Sequence, residues 1–580
     1  MSNSTETQSS PRRGRLRWLL PVALLVLSLG LSYGAYVLAG YSWNQVVEYE
    51  SPYTLLTGAD FSGPRPALSD PIPNATPRRV VLVIVDGVRE DISRTMQSVS
   101  GLRARGADVR LTAPQPSLTS PTWTTILTGA PPQISGVTTN WFEGPAPVET
   151  LIDVAVGSGR TVVVAGPDTF DTLFEASDVA TATAITTWEM GEYASGTTVD
   201  DALRLDAEVG GADFIVVGLK DADDAAHEHG AASPEYEESV AKIDADLGRL
   251  IERLDDGATT FVVLPDHGHI DPGGHGGWED EVINTWAALA GPGVATGTAT
   301  AELREIAPTV AVIAGLQAPL QATGTAIDAV LADPNGSARD AEFVHAAGIT
   351  LEYIEKVLGQ GAVDEDGSIS SPSALAQMQA SADAERIAEE RPTRLWQLLV
   401  IAACTLAILI VVGLISWRTL VAAVAGTVVY AAVYNALFFF VHGYRWSLSI
   451  IGEEELVQAF FNQRMLEAAL AGLAGCLVAA LVYLVLRRSS RETSTGWTAE
   501  WLAVGGATVL LMQAALAVQV GVFLWRWGAS VIWILPDLRE AFKYDLDLIQ
   551  ITALGVAAVL GPLLTYLFGL ALGRKRTAPA

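Results

Sequence analysis

Five of the seven histidines in this 580-residue chain lie between His227 and His275. They fall in two loops rich in Asp and Gly, KDADDAAHEHG from Lys220 and PDHGHIDPGGHGG from Pro265. His345 and His442 stand alone. Carboxylate oxygen and imidazole nitrogen together suit Zn²⁺ and similar divalent ions, and glycine lets a loop wrap tightly around one. A further acid, Asp86 in VIVDG, follows another apolar run. The second chemically suggestive stretch is PSLTSPTWTTILTGAPP, Pro116–Pro132, which gathers Ser117, Thr119, Ser120, Thr122 and Thr124 around Pro121. A hydroxyl is a weak nucleophile unless a neighbouring charge or base activates it. Ser120, directly before Pro121, suits a helix N-cap, with Pro121 as the first helical residue. The helix then runs through TWTTILTG and stops near Gly129.

These groups need a scaffold that brings them together. Short β-branched runs, Arg79–Val85, Thr161–Ala165, Phe214–Leu219, Thr260–Leu264 and Thr285–Ala290, read as strands. Between them lie helical patterns such as Glu237–Leu254, with Val240, Ile243, Leu247, Leu250, Ile251 and Leu254 on one face. Continuous apolar strands separated by helices imply an α/β sheet covered on both faces. Ligands of such sheets bind beyond the C-terminal strand ends, where Asp86 and the two histidine loops lie. The segment Ala341–Arg391 has no strand signal and reads as a helical stalk or hairpin, or a partly disordered linker.

Six further runs are long and apolar enough to cross a bilayer: Trp18–Gly40, Leu395–Ser416, Leu420–Val441, Met465–Leu486, Trp501–Leu524 and Leu548–Gly573. The first exceeds the ~7–15 apolar residues of a signal peptide and reads as an uncleaved anchor. Basic clusters at Arg12–Arg17, Arg418, Arg487–Arg491 and Arg574–Arg576 share one side if the first span leads outward. The segment 41–393 and the loops His442–Arg464 and Arg526–Asp547 are then extracytoplasmic, in a multi-pass cell-membrane protein. The net charge of -29 excludes a nucleic-acid-binding role, which needs a basic face. Cys404 and Cys476 both sit in apolar runs, so no disulfide framework is implied. Asn435 and Gln513, inside spans, read as helix–helix contacts.

VIVDG, TSPTWTTILTG, DDAAH, PDHGH and GGHGGWEDE, in this order over roughly Arg79–Gly293, resemble the alkaline phosphatase superfamily. The branch they resemble is the type I phosphodiesterase/nucleotide pyrophosphatase group, to which GPI ethanolamine phosphate transferases are related. The resemblance implies an alkaline-phosphatase-like α/β domain at 41–340. The basic tail 1–17 and anchor 18–40 precede it, and a stalk 341–393 and a five-helix membrane domain 394–580 follow. It also implies two divalent ions, Zn²⁺ being the expected identity. Asp86, Thr119, Asp266 and His267 would hold one, and Asp223, His227 and His275 the other. Asp221 and Asp224 are the nearby alternatives to Asp223. His229 and His269 are left to surface or supporting roles, and Glu279 and Asp280 to orienting the His275 loop.

Thr119 is then the nucleophile of a phosphothreonine mechanism. Thr122, where relatives carry Asn or Arg, and Lys220 are the expected phosphoryl-oxygen donors. The activity implied is a metal-dependent phosphodiesterase or phosphatase. The alternative is a phosphoethanolamine- or phosphoglycerol-type transferase acting on a lipid or envelope glycan. Its partners would be a phosphate ester, possibly lipid-linked, and the bilayer.

Overall fold

The computed structural model describes residues 11–51, 79–175, 182–185, 195–332, 372–452, 456–488, 497–531 and 535–573. Its centre is one eight-stranded sheet: β1 Arg79–Val85, β2 Ala107–Thr112, β3 Val162–Gly166, β4 Ala182–Ile185, β5 Phe214–Leu219, β6 Thr259–Leu264, β7 Asn284–Ala290 and β8 Gly297–Glu302. The spatial order is β4-β3-β5-β1-β6-β7-β2-β8. β1 runs parallel to both β5 and β6, with Val80 opposite Phe214 and Thr260. β7 is antiparallel to β6 and β2, so the sheet is mixed. Every residue of β1, β5 and β6 is buried. That is what continuous Val/Ile/Leu runs produce when helices cover both faces.

Val80, Leu82 and Ile84 point into one core with Trp123, Phe170 and Phe214. Val81, Val83 and Val85 point into the other with Ile215, Tyr236, Ile243 and Leu247. The helix Pro234–Leu254 lays its apolar stripe on that second core, and Ser233 caps it by accepting from Tyr236 N. Gly218, in the middle of β5, makes room for two aromatics: a Cβ there would lie 2.7 Å from Trp123 and 2.8 Å from Phe170.

The six apolar helices are Pro11–Val47, Pro372–Ile415, Trp417–Asn435, Val457–Arg488, Trp497–Trp527 and Leu538–Gly573. Trp417–Asn435 continues as a π-turn over Ala436–Val441. All six are long and apolar enough to cross a membrane. The first packs on the fifth and sixth through one polar knot. Gln513 donates to Ser32 Oγ and the Ser28 carbonyl and accepts from Ser28 Oγ at 2.5 Å. Gln513 thus makes the helix contact expected of it. Asn435 does not: it is exposed and donates to Ala431 O of its own helix.

Several expectations fall partly on residues outside those described, among them the basic tail before Pro11, stretches of the domain 41–340, the loop residues 453–455 and Arg491. Of the stalk, the part from Pro372 is one continuous helix with the second span. The rest of the stalk and the basic residues 574–576 lie outside the described residues.

Candidate metal centre and its cavity

β5, β1 and β6 are adjacent and parallel, so their C-terminal ends deliver three acids to one place. Asp86 follows β1, Asp266 follows β6, and Asp223 sits in the first turn of the helix Asp221–His229 that follows β5. His227 lies one helical turn beyond Asp223, which puts both side chains on one face. The loop after β6 adds His267, His269 and His275.

The side chains form three overlapping triplets: Asp86–Asp266–His267, Asp223–His227–His275 and Asp223–His267–His269. Asp223 Oδ1 lies 3.0 Å from His269 Nε2, 3.3 Å from His227 Nε2 and 3.6 Å from His275 Nε2. His267 Nε2 lies 3.4 Å from Asp86 Oδ1 and 3.3 Å from Asp266 Oδ2.

The hydrogen bonds around the rings set their tautomers. The Nδ1 atoms of His267, His269 and His275 each face a backbone carbonyl: Gly268 O at 3.2 Å, Gly273 O at 2.6 Å and Ser117 O at 3.0 Å. A carbonyl only accepts, so each Nδ1 carries the proton and each Nε2 turns a lone pair toward the acids. The Nε2 atoms of His267 and His269, both oxygens of Asp86 and Oδ1 of Asp223 are buried without a hydrogen-bond partner. Lone pairs and carboxylates converging out of water are costly unless a cation lies among them. This donor set fits divalent ions with a preference for N and O ligands.

The electrostatics agree. Burial, reinforced by Asp266 and Asp223, holds the Asp86 carboxyl well above the usual carboxylate range. For Asp223 burial acts in the same direction but is overcome by His227, His269 and Lys220, which hold it well below that range. Burial and the neighbouring His267 push His275 well below the ordinary histidine value, favouring the neutral ring a metal ligand needs.

Gly87 explains the DG of VIVDG. Its φ is +72°, and a Cβ would lie 2.6 Å from His269 Nε2 and 2.9 Å from Asp223 Cα. Asp221 is turned away and accepts from Ser195 N at 3.1 Å. Asp224 instead lines the cavity beside the cluster. His229 stays at the surface near Glu228. His269, expected in a supporting role, is fully buried within the cluster.

The hydroxyl run departs from its sequence reading in two respects. The helix is Thr119–Thr128, with Leu118 at the N-cap position and no side-chain cap there. Ser120 lies inside the first turn, so it does not cap. Its N–H is satisfied from outside by Asn140 Oδ1 at 2.8 Å. Thr119 is the first helical residue, and the helix ends at Gly129, φ +69°, as expected. Thr122 is fully buried and does not line the cavity. Its Oγ1 lies 2.7 Å from Leu118 O and 2.9 Å from Asp266 Oδ2, so its one proton is shared between a backbone carbonyl of its own helix end and a candidate metal ligand.

An amide that the sequence reading missed, Asn140, stands at the cluster end of the cavity. With Oδ1 engaged by Ser120 N, its NH₂ remains for the cavity that it lines with Thr119 and Lys220.

That cavity measures about 690 Å³. Thr119, Asn140, Lys220, Asp223, His227 and His275 line one end. Trp43 and Val47 of the first apolar helix, Ile451, Val457 and Phe461 around the start of the fourth, and Leu538 and Phe542 of the sixth line the other. Trp43 joins the parts, packing 5.3 Å from Trp141 and 6.4 Å from Phe461.

Comparison with known proteins gives the same domain. Residues 80–287 match the family model for type I phosphodiesterase/nucleotide pyrophosphatase. The catalytic subunit of GPI ethanolamine phosphate transferase 3 is 26% identical over 309 residues in Mus musculus, covering 47% of this chain and 27% of the relative. The Homo sapiens protein is 24% identical over 273 residues, covering 42% and 25%. The chain thus spans about a quarter of the length of these curated relatives. Murine ectonucleotide pyrophosphatase/phosphodiesterase 5, solved with AMP as an inactive variant, is 12% identical with a TM-score of 0.36, covering 42% of this chain and 96% of that one. Motif order and family match agree: residues 80–287, which carry the Asp/His cluster, match the type I phosphodiesterase/nucleotide pyrophosphatase family.

Proposed function

We propose that the chain is a membrane-embedded, metal-dependent enzyme that cleaves a lipid-linked phosphodiester through a phosphothreonine at Thr119. The observation that carries this reading is the cavity, which runs from the Asp/His cluster to the apolar side chains of the membrane helices. A soluble substrate needs no apolar wall built from three of those helices. The curated relatives, transferases acting on GPI, favour the same substrate class. The distribution of basic loops supports reading the domain as extracytoplasmic.

Asp86, Asp266 and His267 would hold one divalent ion, with Thr119 beside them, and Asp223, His227 and His275 the other. Zn²⁺ is the ion best matched to this N/O donor set. When bound, the ions supply positive charge that favours the Thr119 alkoxide and neutralises charge developing on the phosphoryl oxygens.

The remaining work belongs to the chain. Thr119, in the first turn of its helix, benefits from the positive helix end. Its Oγ1 forms a bond to phosphorus as the bond to the leaving oxygen breaks. The proton Thr119 loses balances the one the leaving alkoxide gains. Asn140 NH₂ and the Lys220 ammonium are placed to donate to the non-bridging oxygens. An incoming oxygen then forms its own bond to phosphorus and releases Thr119. Two in-line steps give net retention. Water as the incoming group makes the enzyme a hydrolase; a glycan or lipid hydroxyl makes it a transferase.

The test is trapping. Full-length protein in detergent, incubated with a lipid phosphodiester and quenched in acid, should carry on the peptide containing Thr119 the mass of the phosphoryl group together with the alcohol substituent that the diester retains. Thr119→Ala should abolish both label and turnover, and Ser120→Ala should retain them. Label on Ser120, or turnover surviving Thr119→Ala, sinks the reading. Product analysis with and without an added glycan separates hydrolysis from transfer.

A further inference from the structure

The loop that carries His275 is held by the membrane domain. Glu279 follows it and is 2% exposed. Its Oε2 accepts from two hydroxyls of the connection between the third and fourth apolar helices, Ser447 Oγ and Ser449 Oγ, both at 2.9 Å. Each of those hydroxyls has one proton. Ser449 Oγ, having spent its own on Glu279, accepts from Gly277 N at 3.0 Å, and Ser447 Oγ accepts from Ser449 N at 3.2 Å.

Around this knot the backbones are in close contact. A Cβ at Gly274 would fall 1.8 Å from Ser449 O, and one at Gly277 would fall 1.9 Å from Ser447 Oγ. Trp278 Nε1 donates to Trp446 O at 2.8 Å, and the Arg539 guanidinium from the sixth helix lies 4.9 Å from the Trp278 ring. From the other side Ser117 ties the same loop to the chain just before Thr119: its Oγ donates to Gly277 O and its carbonyl receives His275 Nδ1.

We infer that Ser447 and Ser449 are positioning residues of the metal centre. Acting through Glu279 and Gly277, they fix His275, so the second metal subsite is complete only when the membrane helices are docked. A buried carboxylate stripped of its donors is strongly unfavourable and has to move. Here that movement drags the segment 275–279. The first subsite, Asp86, Asp266 and His267, has no contact with these serines and meets the moved segment through the His267 ring, stacked on His275 at 3.8 Å, so Asp86 and Asp266 still hold its ion. Comparable supporting contacts in metal sites are worth roughly 10–100-fold in affinity.

The inference rests on the metal reading above, and its test separates the two. Full-length protein in detergent is dialysed against graded chelator, and Zn²⁺ per chain is measured. Wild type should hold two equivalents. Ser447→Ala/Ser449→Ala should lose one of them at roughly tenfold or more lower chelator than wild type and keep the other. Thr at both positions, which restores the hydroxyls, should recover it. Retention of both ions at wild-type affinity, or their simultaneous loss, overturns the coupling. Should the double variant fail to fold, Ser449→Ala alone is judged by the same criterion. Wild-type protein that binds no divalent ion would sink the metal reading itself.

Discussion

The two halves of the candidate metal centre are built differently. Asp86, Asp266 and His267 are all fully buried, and each follows a central strand of the sheet. Their supports come from the same domain: Gly87 N and Thr122 Oγ1 both donate to Asp266. Asp223, His227 and His275 face the cavity, and His227 is partly exposed to it. Here His275 is held from within the domain by Ser117 O and from outside it, through Glu279, by the two serines of the membrane connection. One half is fixed within the domain, and the other also depends on how the domain sits on its membrane helices. Under the proposed mechanism the closed half would activate Thr119, while the open half would meet the substrate in the cavity.

The largest expected effect tests the closed half. Asp86→Asn leaves a neutral amide where a carboxylate faces His267 and Asp266. Turnover should fall roughly a thousandfold or more, because several kcal/mol of charge stabilisation is lost, at 1.36 kcal/mol per tenfold. Zn²⁺ analysis should show one ion gone. His275→Ala should also lose one ion, and chelator should remove that ion from wild type faster, since its ligands face an open cavity. If both ions exchange at one rate, the contrast between a closed and an open half is wrong.

Next in size is Asn140→Ala. Asn140 is a neutral donor that lines the cavity with Thr119, and it also satisfies Ser120 N. Removing such a donor costs about 10²–10³-fold in kcat where the donor meets charge developing in the transition state. Thr122→Ser keeps the hydroxyl that reaches Asp266 and should stay within a few-fold. If Thr122→Ser proves the more damaging of the two, Thr122 and not Asn140 serves the substrate.

Much of this was legible in the residues, and the gaps share a cause. β1, β5 and β6 are continuous apolar runs because both their faces are buried, and their ends delivered Asp86, Asp223 and Asp266 with them. The strands that escaped detection are peripheral. In β2, ADVRLT, buried and outward residues alternate, and β8, GTATAE, is mostly exposed at the sheet edge, so neither has an apolar run to announce it.

Asn140 lies in a loop 20 residues beyond Ser120, and only the folded chain brings its amide to that N–H. Ser120 read as a cap because Ser before Pro usually is one. Here Leu118 takes the cap position, and the tertiary contact from Asn140 replaces the side-chain cap. Glu279 was suspected of holding the His275 loop. Its partners Ser447 and Ser449 lie 168 and 170 residues away, in a connection whose local sequence gives no sign of them. Asp280, named beside Glu279, points to solvent.

The smallest effect probes the membrane end of the open half. Phe461, near the start of the fourth apolar helix, forms part of the cavity wall and is only partly buried, so some of its ring is available to a ligand. Covering an apolar side chain of this size with an acyl chain is worth about 1.5–3 kcal/mol when complete. The part already packed on Trp43 and Phe460 contributes nothing new. Phe461→Ala should therefore raise KM for a long-chain lipid phosphodiester about three- to tenfold, or about 0.7–1.4 kcal/mol, which is below the value for complete burial. It should leave kcat, and both constants for a short aryl phosphodiester, within twofold. A short substrate makes no contact at that end, whereas Thr119 and the Asp/His cluster serve both substrates equally. An equal loss for both substrates would mean that Phe461 supports the fold of the cavity and does not read the lipid.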